Sequence, residues 1–152
     1  MACRTKTLPA AAAPVVIAAA MAYGDGVFHF LSVFLCLVCA LLIQMGTNLA
    51  NDYFDFKKGA DTAERIGPVR VTQAGLLSPQ AVKRSFILVF AAAILASFYL
   101  VIRGGVPIVV IGILSIVSGI LYTAGQKPLG YIGLGELFVL FFFGPVAVAG
   151  TY

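Results

Sequence analysis

The sequence predicts an all-α, polytopic transmembrane helix bundle. Of the 152 residues, 61% are hydrophobic and only 11% are charged, whereas a soluble domain usually carries about 25% charged residues. The mean hydropathy is +1.04. The apolar residues also come in long blocks, each close to the roughly 20 residues that a membrane-spanning helix needs. We therefore expect residues 1–152 to form a single membrane domain that faces the lipid bilayer.

Five apolar blocks are predicted to span the membrane. They lie at about residues 8–23, 27–49, 82–102, 105–124 and 131–150. The first block follows Arg4 and Lys6 and contains Pro9 and Pro14, so it has some features of a signal peptide. We interpret it as a span, because several further spans follow and no convincing cleavage site separates it from Phe28.

The basic residues predict the orientation of the chain. With a cytoplasmic N-terminus, nine of the ten lie on the cytoplasmic side and only Arg103 lies outside, a strong positive-inside bias. The nine are Arg4, Lys6, Lys57, Lys58, Arg65, Arg70, Lys83, Arg84 and Lys127. The net charge of +4 is thus a topological signal and does not indicate a nucleic-acid partner. We expect a multi-pass protein of the cell's cytoplasmic membrane.

Four reactive side chains stand apart in the apolar blocks. Cys36 and Cys39 have a Cys-x-x-Cys spacing, but they lie in mid-span without the polar support of a redox or metal site, so we predict a packing role. His29, at the outer end of the second span, is interpreted as interfacial. Glu136 leaves two alternatives open: it extends to the cytoplasmic interface, or it points into a polar cavity shared with the loop.

Residues 50–81 are predicted to form a cytoplasmic loop that carries the function. With the adjoining Lys83 and Arg84, this region holds six of the ten basic residues, and the loop itself holds four of the six acidic ones. Long loops in compact proteins are usually functional or disordered, and this one is not of low complexity. For Lys83 and Arg84 we favour a purely topological role.

The start of this loop suggests a metal site. If the second span continues as a helix past Asn48, then Asn48, Asp52 and Asp55 share one face, and Gln44 extends that face one turn deeper. Two neighbouring carboxylates repel each other close to a membrane, so a cation between them is expected. Carboxylate and amide oxygens favour Mg²⁺ over zinc, and Mg²⁺ often shares its coordination shell with a substrate phosphate.

The basic half of the loop suggests a phosphate ligand. Four basic residues lie within fifteen residues after Asp55, namely Lys57, Lys58, Arg65 and Arg70. Arginine binds phosphate oxygens through two parallel hydrogen bonds. The alternative is an ordinary solvated loop whose basic residues only set the topology, but such a loop does not need acids stacked on a helix face.

At these residues the sequence resembles the UbiA superfamily of membrane prenyltransferases, and most closely its menaquinone branch, the 1,4-dihydroxy-2-naphthoate polyprenyltransferases. Four ordered blocks carry the resemblance: Arg4-Thr5-Lys6-Thr7-Leu8-Pro9; Asn48-Leu49-Ala50-Asn51-Asp52-Tyr53 with Asp55, Gly59 and Asp61; Arg65-Ile66-Gly67-Pro68 with Arg70; and Tyr122-Thr123 with Lys127-Pro128 and Tyr131-Ile132-Gly133-Leu134-Gly135-Glu136. The wider superfamily has an acid where this chain has Gly59, and here the acid follows as Asp61, as in the menaquinone branch.

The resemblance implies a fold of about nine helices, of which this chain is expected to provide the N-terminal five, and a second Asp-rich motif beyond them. It implies Mg²⁺-dependent transfer of a polyprenyl group from polyprenyl diphosphate to 1,4-dihydroxy-2-naphthoate in menaquinone biosynthesis. Asp52 and Asp55 would be catalytic. The implied metal ligands are Asn48, Asn51, Asp52, Asp55 and Asp61, and the implied diphosphate-binding residues are Lys58, Arg65, Arg70 and Lys127.

Several other functions remain as alternatives. Another UbiA-type aromatic prenyltransferase would use the same motif. Half of a transporter would need polar residues deep in several spans, but the third and fourth spans offer only Ser97, Ser115 and Ser118. A non-catalytic assembly subunit would leave the acidic cluster without a purpose. A CDP-alcohol phosphatidyltransferase needs an Asp-Gly-x-x-Ala-Arg motif that this chain lacks.

Overall fold

A computed structural model describes residues 4–59, 70–125, 128–131 and 133–152. The helices are α1 (Leu8–Gly24), α2 (Phe30–Lys57), α3 (Pro79–Gly104), α4 (Val106–Leu121), α5 (Gly135–Phe141) and α6 (Ala147–Thr151). A 3₁₀ turn, Thr5–Thr7, precedes α1, and a π-helical turn, Phe142–Val146, joins α5 to α6. No β-strand occurs in these ranges, which confirms the prediction of an all-α bundle.

Local sequence signals explain where the helices begin. The His29 ring accepts a hydrogen bond from the Ser32 N–H (3.3 Å) at the start of α2. Ser78 caps α3 in the same way, followed by Pro79 at the first helical position, where the missing N–H of proline costs nothing. Between α3 and α4 the chain reverses at Gly105, whose φ of 67° favours glycine.

Three segments of the described chain are long and apolar enough to cross a membrane by length and composition: Thr5–Gly24, Phe30–Lys57 and Pro79–Gly104. Two shorter apolar helical segments, Val106–Leu121 and Gly135–Thr151, lie where the fourth and fifth spans were predicted. A straight span of the bilayer core needs about 20 residues, so these two fall short of that length.

Helix α2 continues eight residues beyond the end predicted for the second span, and this corrects the predicted loop boundary at residue 50. The apolar run stops at Leu49, but helical hydrogen bonding runs to Lys57. Tertiary contacts stabilise this polar extension, because Asn51, Asp52 and Asp55 are buried against other segments. Packing of this kind supplies most of the stability of a helix in a protein, so the helix persists beyond the apolar run. The connection between α2 and α3 therefore begins at Lys58.

Helices α2 and α3 form the main packed interface, around a cluster of buried apolar residues: Leu49, Ala50, Val71, Val82, Phe86 and Phe90. Gly46 lets the two helices approach closely, because a Cβ atom at this position would lie only 2.6 Å from Cε1 of Phe90. The Phe90 ring is itself 6% exposed and has little room to move. This interface fixes α2, which carries the polar residues of the site.

Replacing Gly46 with Ala is expected to destabilise the protein by about 1–3 kcal/mol, the usual cost of overpacking a filled core. The measurement is the free energy of unfolding in detergent micelles. Gly112→Ala in α4 is the matched control, because in the described residues no atom beyond its chain neighbours and the helix backbone lies within 4 Å of the added Cβ. A helical Gly→Ala change there should be neutral or slightly stabilising. Equal stability of the two variants would contradict the close packing at Gly46.

The last helical segment is broken in its middle. Gly144 has non-helical dihedral angles (φ −108°, ψ −109°) and precedes Pro145, which has no N–H to donate. The chain then continues as α6, which packs against α1. At the end of α6 the Tyr152 hydroxyl donates a hydrogen bond to the Asp25 carboxylate (2.8 Å), and this bond raises the pKa of Tyr152. The contact joins the last described residue to the end of α1.

Candidate functional site

The polar face of α2 is the most deeply buried polar region in the described residues. Asn48, Asn51, Asp52 and Asp55 are between 3% and 6% exposed. The buried set follows the i, i+4, i+7 spacing with Asn51 beside it, so all four lie on the face that contacts other segments. Three separate parts of the chain reach this face.

Asp52 is held by backbone groups of the segment that precedes α3. The N–H groups of Val71 (3.0 Å) and Thr72 (3.3 Å) each donate to one of its carboxylate oxygens. Val71 is 3% exposed and belongs to the α2–α3 core cluster. Because the segment is anchored in the core, the position of Asp52 relative to it is fixed.

Asp55 is held by two side chains. The Arg70 guanidinium forms an ion pair with Oδ2 of Asp55, and the Tyr131 hydroxyl donates to Oδ1 (2.7 Å). The side chains of Arg70 and Asp55 are only 3% and 5% exposed. A buried carboxylate of this kind needs a partner of opposite charge, and Arg70 provides it. Arg70 was predicted to bind diphosphate, and the structure places it on Asp55.

The two asparagines connect the face to the remaining segments. The Thr123 hydroxyl donates to Oδ1 of Asn51 (2.9 Å), which joins α2 to the connection after α4. The amide of Asn48 donates to the Thr7 hydroxyl (2.9 Å), which joins α2 to the turn before α1. The amide nitrogen of Asn48 thus faces the N-terminal turn, although this residue was predicted as a metal ligand.

Lys58 extends the site beyond the end of α2. Its ammonium group donates to the backbone carbonyl of Thr123 and lies 5.7 Å from the centre of the Tyr131 ring, within the range of a cation–π contact. The structure therefore brings together Lys58, Arg70 and both carboxylates. Three further predicted site residues, Asp61, Arg65 and Lys127, lie outside the described residues.

Sequence reasoning assigned no role to several residues that hold the site. Tyr131 and Thr123 belong to segments that carry the family resemblance, and that resemblance was the only signal available for them. Thr7 likewise lies in the N-terminal block. The N–H groups of Val71 and Thr72 gave no signal at all, because a backbone donor is not visible in the side-chain pattern.

A large apolar cavity opens beside this face. It has a volume of about 800 Å³ and is bounded by all six helices. Arg4, Asn48 and Asn51 lie at its polar end, and Cys36 lies deeper along α2. The fifteen residues between Cys36 and Asn51 correspond to about 22 Å along the helix axis. The polar face of α2 thus stands at one end of a long apolar space.

The side chains on this face fit a hard divalent cation by their chemistry. Asn51, Asp52 and Asp55 offer only oxygen ligands, the kind that Mg²⁺ prefers. The buried Thr72 hydroxyl, next to Asp52, has no hydrogen-bond partner in the described chain and is one more oxygen. The described residues contain no group of three or more His, Cys, Asp or Glu placed to hold a metal ion, so a cation here would take part of its shell from other ligands.

Two outlying residues are placed away from this face. Glu136 is exposed and lies in the first turn of α5, where a helix N-terminus favours a carboxylate, and its interfacial position stays a prediction. Cys39 packs against α3, and its thiol donates to the carbonyl of Ala93 (3.7 Å).

Comparison with known proteins gives a consistent result. The model of the UbiA prenyltransferase family matches residues 11–152. The 1,4-dihydroxy-2-naphthoate octaprenyltransferase of Escherichia coli (strain K12) is 41% identical over 98% of this chain and 50% of its own length, and the enzyme of the same name from Haemophilus influenzae is 42% identical over 98% and 51%. UbiA prenyltransferase domain-containing protein 1 of Danio rerio is 31% identical over 97% and 44%. The chain spans about half the length of these relatives. No solved structure matches it significantly.

Proposed function

The chain belongs to the UbiA prenyltransferase family, and from this membership we propose that it carries the first Asp-rich part of the active site of a membrane prenyltransferase. The donor would be polyprenyl diphosphate, and the acceptor 1,4-dihydroxy-2-naphthoate, as the names of its relatives suggest. The observation that carries this proposal is the buried face of α2, where Asp55 pairs with Arg70 and where Asn48 and Asn51 line the polar end of an apolar cavity.

The cations of the site would hold the diphosphate leaving group. Arg70 presents a planar guanidinium that matches phosphate oxygens, and Lys58, close by on Thr123 and Tyr131, adds a second positive charge. Positive charge fixed beside the leaving oxygens stabilises them as the bond to the prenyl carbon breaks. Arg65 and Lys127 are proposed to add to this set.

The residues that would hold Mg²⁺ are Asp52, Asp55 and Asn51. Asp61 and Asn48 are further candidates. When bound, Mg²⁺ would neutralise the developing charge of the diphosphate. The chain's own contribution is positional: the N–H groups of Val71 and Thr72 fix Asp52, and Tyr131 fixes Asp55. Fixed ligands of this kind need no reorganisation during the reaction.

The cavity would accept part of the polyprenyl tail together with the aromatic acceptor. An apolar cavity of about 150 Å³ takes up one benzene molecule, and the 800 Å³ cavity is roughly five times larger. Its apolar lining stabilises isoprene units by removing them from water. We place the N-terminus on the cytoplasmic side of the cytoplasmic membrane, supported by the distribution of the basic residues.

A reconstitution assay tests the proposed function. The natural polypeptide that contains these residues, in lipid vesicles, should convert polyprenyl diphosphate and 1,4-dihydroxy-2-naphthoate to the prenylated naphthoquinol with release of pyrophosphate and CO₂. EDTA should stop the reaction. Activity with 4-hydroxybenzoate alone would instead favour another aromatic prenyltransferase of the family. Vesicle uptake of solutes without any prenyl transfer would favour the transporter alternative.

Replacing Tyr131 with Phe is expected to lower turnover by about 10- to 100-fold, the usual effect of losing a hydrogen bond that orients a metal-binding group. The change removes only the hydroxyl that donates to Asp55 (2.7 Å) and keeps the ring beside Lys58. Turnover should be measured with saturating prenyl donor. Tyr99→Phe is the matched control, because the Tyr99 hydroxyl contacts Arg103, at the other end of the bundle. Equal turnover of both variants would remove Tyr131 from the proposed site.

A further inference from the structure

The two carboxylates on α2 are held in different ways. Asp52 accepts hydrogen bonds from the backbone N–H groups of Val71 and Thr72, which cannot leave unless the chain itself moves. Asp55 accepts from the side chains of Arg70 and Tyr131, which can leave by rotation about their own side-chain bonds. One carboxylate is therefore permanently clamped, and the other has partners that can be exchanged.

We propose that Arg70 is an exchangeable counter-ion. It neutralises Asp55 while the diphosphate position is empty, and it transfers to the diphosphate when that ligand binds. The proposal rests on the proposed function, because it takes a diphosphate as the ligand. It assigns Arg70 as a positioning residue for Asp55 before binding and as a ligand of the substrate afterwards.

Burial explains why Asp55 needs a counter-ion in the empty site. The Asp55 and Arg70 side chains are 5% and 3% exposed, so water cannot stabilise either charge alone. The two negative charges of Asp52 and Asp55 would also repel each other on one helix face. The Arg70 ion pair removes both problems without any bound ion.

The backbone around Arg70 is fixed, so exchange involves its side chain alone. The Arg70 carbonyl accepts from the Ala74 N–H (3.0 Å), and the Val71 carbonyl accepts from the Leu76 N–H (3.0 Å). Val71 is anchored in the α2–α3 core. The guanidinium is thus carried by a long side chain on a rigid turn, next to Asp55.

The chemistry of guanidinium favours the exchange. Its planar donors match a carboxylate and a phosphate equally well in geometry, and a diphosphate carries more negative charge than Asp55. When Arg70 leaves, Tyr131 still donates to Asp55, and the carboxylate becomes available to a cation that accompanies the diphosphate. The same arginine thereby links the arrival of the ligand to the release of Asp55.

The test is the binding of radiolabelled inorganic pyrophosphate to the chain in lipid nanodiscs with EDTA present. Exchange predicts that Asp55→Asn binds pyrophosphate about five-fold or more tightly than the unmodified chain, because Arg70 no longer has to leave the Asp55 carboxylate. Asp52→Asn is the matched control, since it removes the same charge but leaves the Arg70–Asp55 pair intact, and it should show a clearly smaller gain. The gain of Asp55→Asn should vanish in the double variant with Arg70→Gln.

Each result decides the proposal. Equal gains in Asp52→Asn and Asp55→Asn, or a gain that persists in the double variant, would mean that simple charge removal acts and Arg70 does not exchange. Binding of pyrophosphate without any gain in Asp55→Asn would overturn the exchange and leave the diphosphate site intact. No binding in any variant with EDTA present would overturn the exchange, and no binding when Mg²⁺ replaces EDTA would overturn the proposed function as well.

A second measurement covers the case in which Asp55→Asn does not fold. The chain labelled with ¹⁵N-arginine should show an Arg70 side-chain N–H resonance, identified by its absence from Arg70→Lys. Exchange predicts that pyrophosphate shifts this resonance and that sodium chloride of equal ionic strength does not. An unchanged resonance at saturating pyrophosphate would show that Arg70 stays on Asp55.

Discussion

Replacing Asp52 with Asn is expected to lower Mg²⁺-dependent prenyl transfer by about 10²- to 10³-fold, the loss typical of removing one fixed electrostatic group from an active site. Asn keeps the size of the side chain, but it removes the negative charge. It also replaces one of the two oxygens that accept from Val71 and Thr72 with an amide nitrogen that cannot accept. The charge and one of the two hydrogen bonds that hold Asp52 are therefore lost. Initial rates over a range of Mg²⁺ concentrations measure the effect.

Asp25→Asn is the control for this substitution. Asp25 is exposed, and within the described residues its carboxylate accepts a hydrogen bond from Tyr152, so its loss changes the net charge equally without touching the polar face of α2. Its rate should match that of the unmodified protein. If Asp52→Asn kept more than about a third of the activity, the role proposed for Asp52 would have to be abandoned.

Replacing Arg70 with Met is expected to destabilise the folded chain by about 3–5 kcal/mol, because it leaves the buried Asp55 carboxylate without its counter-ion. This is a larger loss than most single substitutions cause. The measurement is the free energy of unfolding in mixed micelles. Replacing both partners, as in Arg70→Met with Asp55→Leu, should restore most of the stability, because a buried ion pair and an apolar pair of similar volume are often equally stable.

Arg84→Met is the control for the loss of a positive charge. Arg84 is exposed at the start of α3, and surface substitutions of this kind usually change stability by less than about 0.5 kcal/mol. A loss of less than about 1 kcal/mol in Arg70→Met would mean that the ion pair with Asp55 contributes little. A double variant as unstable as Arg70→Met would mean that Arg70 stabilises the fold through other contacts.

Much of the architecture was predictable because apolar blocks of about 20 residues have few alternatives to membrane helices. The positions of α1 and α3 follow the predicted blocks within three residues at each end. The end of α2 was not predictable from hydropathy, because the apolar run is interrupted by Asn51, Asp52 and Asp55 and the last turns depend on contacts with distant segments. The break at Gly144 was also missed, although Gly144-Pro145 is a recognised helix-breaking pair.

The candidate site was predictable in its chemistry and not in its contacts. The spacing of Asn48, Asp52 and Asp55 indicated one helix face, and all three are buried there. The pairing of Arg70 with Asp55 spans fifteen residues, and that of Tyr131 with Asp55 spans 76. The periodicity of the sequence cannot predict pairs so far apart along the chain, since these pairs form only when the helices pack.

The length of α2 has a consequence for the membrane around the protein. Its 28 residues extend about 42 Å, whereas the hydrocarbon layer of a bilayer is about 30 Å thick. The excess of about 12 Å corresponds to roughly eight residues, the length of the polar extension that bears the carboxylates. We therefore expect the carboxylates to lie at the level of the lipid headgroups, where the proposed diphosphate would contact water and its prenyl tail would contact lipid. A bilayer of different thickness would change the position of the carboxylates relative to the headgroups. We therefore expect the lipid composition to influence the site.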